Sequence, residues 1–338
     1  MAGIETIIVD EDGAGMRLDR WFKERYPGLG FGQLQKLVRT GQVRVDGGRV
    51  KTSSRLEVGQ SVRIPPLAVE SLDRAVWDDI GGDPVARAAG PTEDGAYLRS
   101  LVLYEDAEVY VFNKPAGLAV QGGSGLTRHV DGMLEALRDK KGQKPRLVHR
   151  IDRDTSGILV VARTRAAATA LTASFRARTT RKTYWALVKG VPKPHQGRIS
   201  TFLARDPEDE ERMRVAPQGK DDSVHALTYY AVVDTAAQKL AWLSFRPVTG
   251  RTHQLRAHAS FIGHPIVGDP KYFDIENWEL PGGIQNKLHL HARRIQMPHP
   301  KAGTLDVSAP LPDHMRQSWN LLGFDASIYD PIDEAPEE

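Results

Sequence analysis

Between Leu101 and Phe245 the chain is written mostly in short strand-like runs, and no other feature limits its fold as much. Leu101–Tyr104, Val109–Phe112, Ile158–Ala162, Tyr184–Val188, Ala226–Val233 and Leu240–Phe245 are either continuously apolar or alternate apolar with polar residues. Helical periodicity interrupts them in two places. Across Ala166–Arg176, Ala167, Ala170, Leu171 and Phe175 share one face, and a second helix is expected from Thr252 to Phe261. Strands outnumber helices, so the expectation is an α+β domain on a mixed, mainly antiparallel sheet. A chain of 338 residues has room for this domain and a smaller one.

The smaller one is expected at residues 1–66. Leu18, Trp21 and Phe22 fall on one helical face, and Leu34, Leu37 and Val38 repeat the pattern before Gly41 stops it. Alternation from Gln42 to Val50 around Asp46-Gly47 predicts a hairpin. A last strand, Ser61–Ile64, ends at two prolines. Two helices and a hairpin would present Arg39, Arg44, Arg49 and Lys51 as one basic face. This pattern resembles a small RNA-binding domain first described in a ribosomal protein of the small subunit.

Charge follows the same division. Met16–Pro66 holds 11 Lys/Arg against 4 Asp/Glu, and Lys144–Lys182 holds 10 against 2. Pro66–Ala96 is acidic, with 7 acidic and 2 basic residues, and 6 acidic residues follow Phe324 with no basic one. Basic blocks separated by acidic segments suit a polyanion such as RNA. Residues 67–96, with Gly81-Gly82-Asp83-Pro84 and Gly90-Pro91, are expected to be a linker. Residues 97–325 form the expected catalytic domain, and residues 326–338 a mobile acidic tail. The absence of cysteine excludes disulfides and Cys-ligated zinc. Met1–Gly13 is acidic and lacks the features of a signal peptide, and no apolar run approaches the roughly 20 residues of a membrane span. A soluble, cytoplasmic, monomeric protein is the expectation.

Four segments carry possible chemistry. His149-Arg150-Ile151-Asp152-Arg153-Asp154-Thr155-Ser156-Gly157 precedes an apolar strand. Arg150 and Arg153 would favour an ionised Asp152 if they lie beside it. Spacing alone leaves both a structural ion pair and a catalytic carboxylate open. In Gly250-Arg251-Thr252-His253-Gln254-Leu255-Arg256, a helix would put Thr252 and Arg256 on one face. Arg181-Lys182-Thr183-Tyr184 places a tyrosine in a strand beside two cations, and Asn113-Lys114-Pro115-Ala116-Gly117 ends a strand in a turn. No phosphate-binding loop, dinucleotide fingerprint or Gly-x-Ser-x-Gly elbow is present. The two histidines of the second segment are five apart, which does not fit a zinc helix.

Taken in order, these segments resemble the RluA family of pseudouridine synthases, and in particular the branch with a small N-terminal RNA-binding domain that modifies large-subunit ribosomal RNA. The resemblance implies that Asp152 is the catalytic aspartate, Tyr184 the active-site tyrosine and Arg256 the cation paired with Asp152. It implies RNA contacts at Arg39, Arg44, Lys114, His149, Arg150, Lys182 and Arg251. It implies a reaction that needs no cofactor and no metal, with ribosomal RNA as partner. Three positions depart from the family pattern: Ile151 stands in place of Leu, Gln121 in place of His, and Phe273 in place of Gly. Two other readings predict different behaviour. A non-catalytic RNA-binding or ribosome-assembly protein would use the same basic faces. A glycoside hydrolase would use Asp152 and Asp154 together, and would release free base or sugar.

Overall fold

The computed structural model describes residues 5–10, 13–26, 29–67, 93–122, 128–140, 142–209, 212–273 and 282–336. The chain divides into two compact units, Met1–Gly90 and Pro91–Glu338. Most of the stretch read as a linker lies outside the described residues. Its end does not, and Glu93–Ser100 is a helix.

In the first unit, β1 (Glu5–Ile8), α1 (Leu18–Arg25), α2 (Phe31–Arg39), β2 (Arg44–Val45) and β3 (Ser61–Ile64) follow in order. The antiparallel sheet runs β1-β3-β2. Leu18, Trp21, Phe22, Leu34 and Val38 are buried together against Val45, Val62 and Ile64, so both helical faces point where the periodicity places them. The expected hairpin is shorter than its sequence suggests. Asp46 and Gly47 both have positive φ, as a tight two-residue turn requires, but only one bridge, Val45 to Gly48, follows it. The strand that β2 pairs with is β3.

The second unit contains α3 (Glu93–Ser100), β4 (Val102–Glu105), β5 (Val109–Lys114), α4 (Val130–Met133), β6 (Arg146–Leu147), β7 (Ser156–Ala162), α5 (Arg165–Arg176), β8 (Arg181–Lys189), β9 (Gln196–Arg205), β10 (Met213–Ala216), β11 (Val224–Ala236), β12 (Leu240–Pro247), α6 (Gln254–Phe261), β13 (Leu290–Pro298), β14 (Thr304–Ser308) and α7 (Asp313–Leu322). Among the described residues the strands form one 11-stranded sheet, in the order β10-β9-β11-β12-β8-β13-β7-β5-β4, with β14 on β13 and β6 on β7. The β13–β7 contact is parallel and the other pairings are antiparallel.

Both faces of the central strands are covered. Ile158 and Val160 of β7 pack with Ala167 and Leu171 of α5, while Leu159 and Val161 turn to Leu98 and Leu134 on the other face. A strand buried on both sides reads as a continuous apolar run, which β7 does. Ala186 and Val188 of β8 meet Leu255 and Ala259 of α6, while Trp185 and Leu187 meet Met315 and Trp319 of α7. Where β7 and β13 converge, Gly157 has φ of 105°, and a Cβ there would stand 2.3 Å from the Ala292 carbonyl oxygen. Only glycine permits that approach.

The acidic tail is docked on the sheet over its described part. Residues Pro331–Glu334 form a short 3-10 turn with Ile332 buried. Asp330 accepts from Trp185 Nε1 at 2.7 Å and from Ser244 Oγ at 2.6 Å. A buried apolar anchor and a shared carboxylate fix the segment on β8 and β12. No helix of the described residues is long and apolar enough to cross a membrane.

Candidate active site

Asp152 lies in the loop between β6 and β7, on the wall of a cavity of about 510 Å³. The loop is held from below. Lys114, at the end of β5, is 1% exposed and donates from Nζ to the carbonyls of Pro115, Leu118 and Arg153 at 2.8 to 2.9 Å. Gly117 N–H donates to the same Arg153 carbonyl. Burial pulls the Lys114 ammonium down to about 7, against the opposing charges of Asp154 and Asp152. Lys114 is therefore a scaffold residue, and the expectation that it touches RNA is corrected: its three donors are spent inside the protein.

His149 is likewise occupied. Its Nε2 accepts from Val160 N–H at 2.8 Å, and its ring stacks on Phe175 with centroids 4.6 Å apart. Burial, with a smaller contribution from the charge of Lys182, pushes its imidazole down to about 3. A neutral, tied ring cannot offer a positive charge to a phosphate. Its edge still lines the cavity.

The cation facing Asp152 is neither of its neighbours in sequence. Arg153 turns to Asp154, at 3.2 Å, and Arg150 is exposed at the cavity wall. Arg256 of α6 instead brings Nη1 to 4.0 Å from Asp152 Oδ2. Arg256 is 2% exposed and grips Asp269 with Nε and Nη2, at 2.8 and 2.7 Å. Burial opposes its charge, but the hydrogen bonds and charge of Asp269, with a further contribution from Asp152, more than offset this and leave its pKa raised. The two-point grip fixes the plane of the guanidinium, so its remaining edge faces Asp152. The Tyr272 ring lies 5.2 Å from the Arg256 guanidinium carbon.

The helix α6 starts at Gln254, two residues later than its periodicity suggests, because His253 sits in the left-handed region at φ 50°. Thr252 is thus outside the helix and does not share a helical face with Arg256. Gln254 explains the local geometry. Its amide donates to Leu227 O and Thr228 Oγ1, and its carbonyl accepts from Thr249 Oγ1 and Arg251 N–H. This ties the turn before the helix to β11. Arg251 is exposed, with Nε on the His225 carbonyl.

Tyr184 comes from β8, on the face that also carries Ala186 and Val188, and lines the same cavity. Burial, reinforced by the negative charge of Asp152, raises its pKa above the ordinary phenol range. Lys182, two residues earlier, also lines the cavity, and burial with the charge of Arg178 lowers it to about 8. In the first unit Arg39 is exposed, whereas Arg44 is half-buried and braces the carbonyls of Gly41 and Gly47.

The structure thus brings Asp152 and Tyr184 to one cavity, with Arg150, Lys182 and Arg251 around it and Arg256 buried behind Asp152. Sequence reasoning missed Asp269 and Tyr272, the partners of Arg256. The signal was the Gly268-Asp269-x-x-Tyr272 turn. Gly268 has φ of 71°, and a Cβ there would stand 2.0 Å from the Lys287 carbonyl oxygen. It missed Arg178 as well, which lines the cavity from just past the end of α5.

A family model described as RNA pseudouridylate synthase matches residues 108–261, which include Asp152, Tyr184 and Arg256. The chain is 38% identical over 320 residues to "Ribosomal large subunit pseudouridine synthase C" of Vibrio cholerae, covering 93% of this chain and 96% of the relative. It is 36% identical over 382 residues to "RNA pseudouridine synthase 4, mitochondrial" of Arabidopsis thaliana, covering 90% and 78%. Among solved structures, human RNA pseudouridylate synthase domain containing 4 superposes with a TM-score of 0.57 at 29% identity, over 68% of this chain and 95% of that one.

Proposed function

Because the chain belongs to the RNA pseudouridylate synthase family, we propose that it converts uridines of large-subunit ribosomal RNA to pseudouridine in the cytoplasm, with Asp152 as its catalytic carboxylate. The observation that carries the site assignment is the relay Asp269–Arg256–Asp152 at the wall of a cavity also lined by Tyr184. The ribosomal target is supported by the name of the Vibrio relative and by the two basic blocks of the sequence.

The isomerisation breaks the bond from the sugar to uracil N1 and joins the same sugar carbon to C5, the C5 proton leaving to solvent as N1 takes one up. The target nucleotide must leave its stack first, at a cost of a few kcal/mol. Phosphate contacts offset that cost through counterion release, with Arg150, Lys182 and Arg251 around the cavity, and Arg39 and Arg44 in the first unit, as the contacts. Asp152 then acts on the sugar as nucleophile or base while the C–N bond breaks. Arg256 orients the carboxylate and offsets its charge. Tyr184, a neutral phenol, offers a ring face to the uracil and a hydroxyl to its polar edge; a phenol whose pKa is raised is poorly suited to act as a base. The half-enclosed site limits water, which would otherwise capture the detached base.

Asp152→Asn tests this reading. The variant is expected to bind ribosomal RNA in a mobility-shift assay and to form no pseudouridine by chemical mapping. Wild-type pseudouridine formation by Asp152→Asn would remove Asp152 from the mechanism, whereas RNA binding without pseudouridine formation by the wild-type protein would leave a protein that acts by binding RNA.

A further inference from the structure

A second cavity, of about 290 Å³, adjoins the first and shares Arg178, Pro247 and Val248 with it. It opens at the start of β8 and the end of β12, three residues along the strand from Tyr184. Arg178, Arg181 and Arg246 line it, and the Asp333 carboxylate, outside the lining, stands 3.8 Å from Arg181. Arg246 Nη1 is held by the Ala335 carbonyl at 2.5 Å and Arg181 by the Asp333 carbonyl, so the docked C-terminal segment fixes both side chains. Thr180 also lines the cavity, and its hydroxyl lies beneath the cavity surface. It is buried, and it has no hydrogen-bond partner among the described residues. Arg181 and Arg246 are thus occupied by the C-terminal segment, whereas the buried hydroxyl is a donor that lacks an acceptor.

Arg178 is the exposed member of the set, and no ion pair holds it among the described residues. Its backbone is unusual. It follows the end of α5 at φ 60°, where Thr179 N–H reaches back to the Ser174 carbonyl. Glycine takes this helix-ending position without strain, and another residue pays about 1 kcal/mol or more. Arg178 lines both cavities.

We propose that the second cavity is a subsite for an RNA backbone phosphate flanking the target uridine, with Arg178 as its principal ligand. The inference rests on the proposed action on ribosomal RNA. A planar guanidinium offers two parallel donors to a phosphodiester, and Thr180 Oγ1 supplies a further one. The phosphate would hold the strand in register while the base enters the adjoining cavity.

The test compares Arg178→Gly and Arg178→Lys with wild type on in-vitro transcribed large-subunit ribosomal RNA. Arg178→Gly relieves the backbone while removing the charge, so its melting temperature should equal or exceed that of wild type. Its KM should rise about tenfold, and the slope of log KM against log salt should fall by roughly 0.7 to 0.9, the value of one phosphate contact. Arg178→Lys should recover most of the KM. Wild-type KM and salt slope in Arg178→Gly would overturn the subsite, as would equal losses in the Gly and Lys variants. Failure of the wild-type protein to form pseudouridine in this RNA would strike the proposed function instead, and that is read before any variant is made.

Discussion

Asp269 holds Arg256 by two nitrogens, at 2.8 and 2.7 Å, and leaves the third facing Asp152 at 4.0 Å. Asp269 does not reach the cavity, yet it sets the direction of the cation that faces Asp152. Its carboxylate also accepts from Lys271 N–H and Tyr272 N–H, so a single buried side chain organises both the turn and the guanidinium.

Asp269→Asn is therefore expected to affect activity through position. Removing one charge of a buried pair costs about 3 to 5 kcal/mol. Urea unfolding should show a loss of this order. At temperatures where the variant remains folded, kcat should fall by an order of magnitude or more while RNA binding holds. A variant with wild-type kcat would detach Asp269 from the site.

Lys114 gives a second, opposite expectation to the one its sequence suggests. If its role is to clamp the Asp152 loop, Lys114→Met leaves the Pro115 and Leu118 carbonyls without a donor, while the Arg153 carbonyl keeps Gly117 N–H, at about 1 to 3 kcal/mol for each group left unsatisfied and still buried. Activity should drop sharply, and the salt dependence of RNA binding should stay as in wild type. A salt slope reduced by one contact would restore Lys114 as an RNA ligand.

Asp330 ties the C-terminal segment to the sheet. Asp330→Ala removes the acceptor from Trp185 Nε1 and Ser244 Oγ together. The expected loss is about 2 to 4 kcal/mol, taking about 1 to 2 for each abandoned donor, and thermal unfolding reads it. An unchanged melting temperature would return the tail to the mobile segment its composition suggests.

Three buried histidines set an acid limit. His258, His289 and His291 are each pushed down to about 4, chiefly by burial. They bond to Thr201 and Thr228, to Ser318, and to Ser156 respectively. The unfolded chain protonates them near 6.5 and the folded chain near 4, so the unfolded state binds more protons within that window. The contribution of these histidines should be flat above about pH 7 and fall as pH drops through 6.5 toward 4, by up to roughly 4 kcal/mol per pH unit if all three titrate. Equal urea midpoints at pH 7.5 and 5.0 would contradict this.

The sequence by itself determined the strand-rich core, the apolar faces of α1, α2 and α5, and the ordered motifs that place Asp152, Tyr184 and Arg256 in a known family. These were legible because period and motif are local: Ile158–Ala162 reads as buried on both faces, and it is. The rest depended on contacts between distant residues. β13 carries adjacent arginines and reads as polar, yet it lies between β8 and β7 because Gly157 allows it to approach. α7 and the C-terminal turn find their places against Trp185 and Trp242. The same holds at the site. Asp152 is flanked in sequence by Arg150 and Arg153, but the cation that faces it is Arg256, held in direction by Asp269. Sequence could name the carboxylate. Only the folded chain decided which charge faces it, because a hydrogen-bonded guanidinium has one fixed plane and that plane is set by tertiary packing.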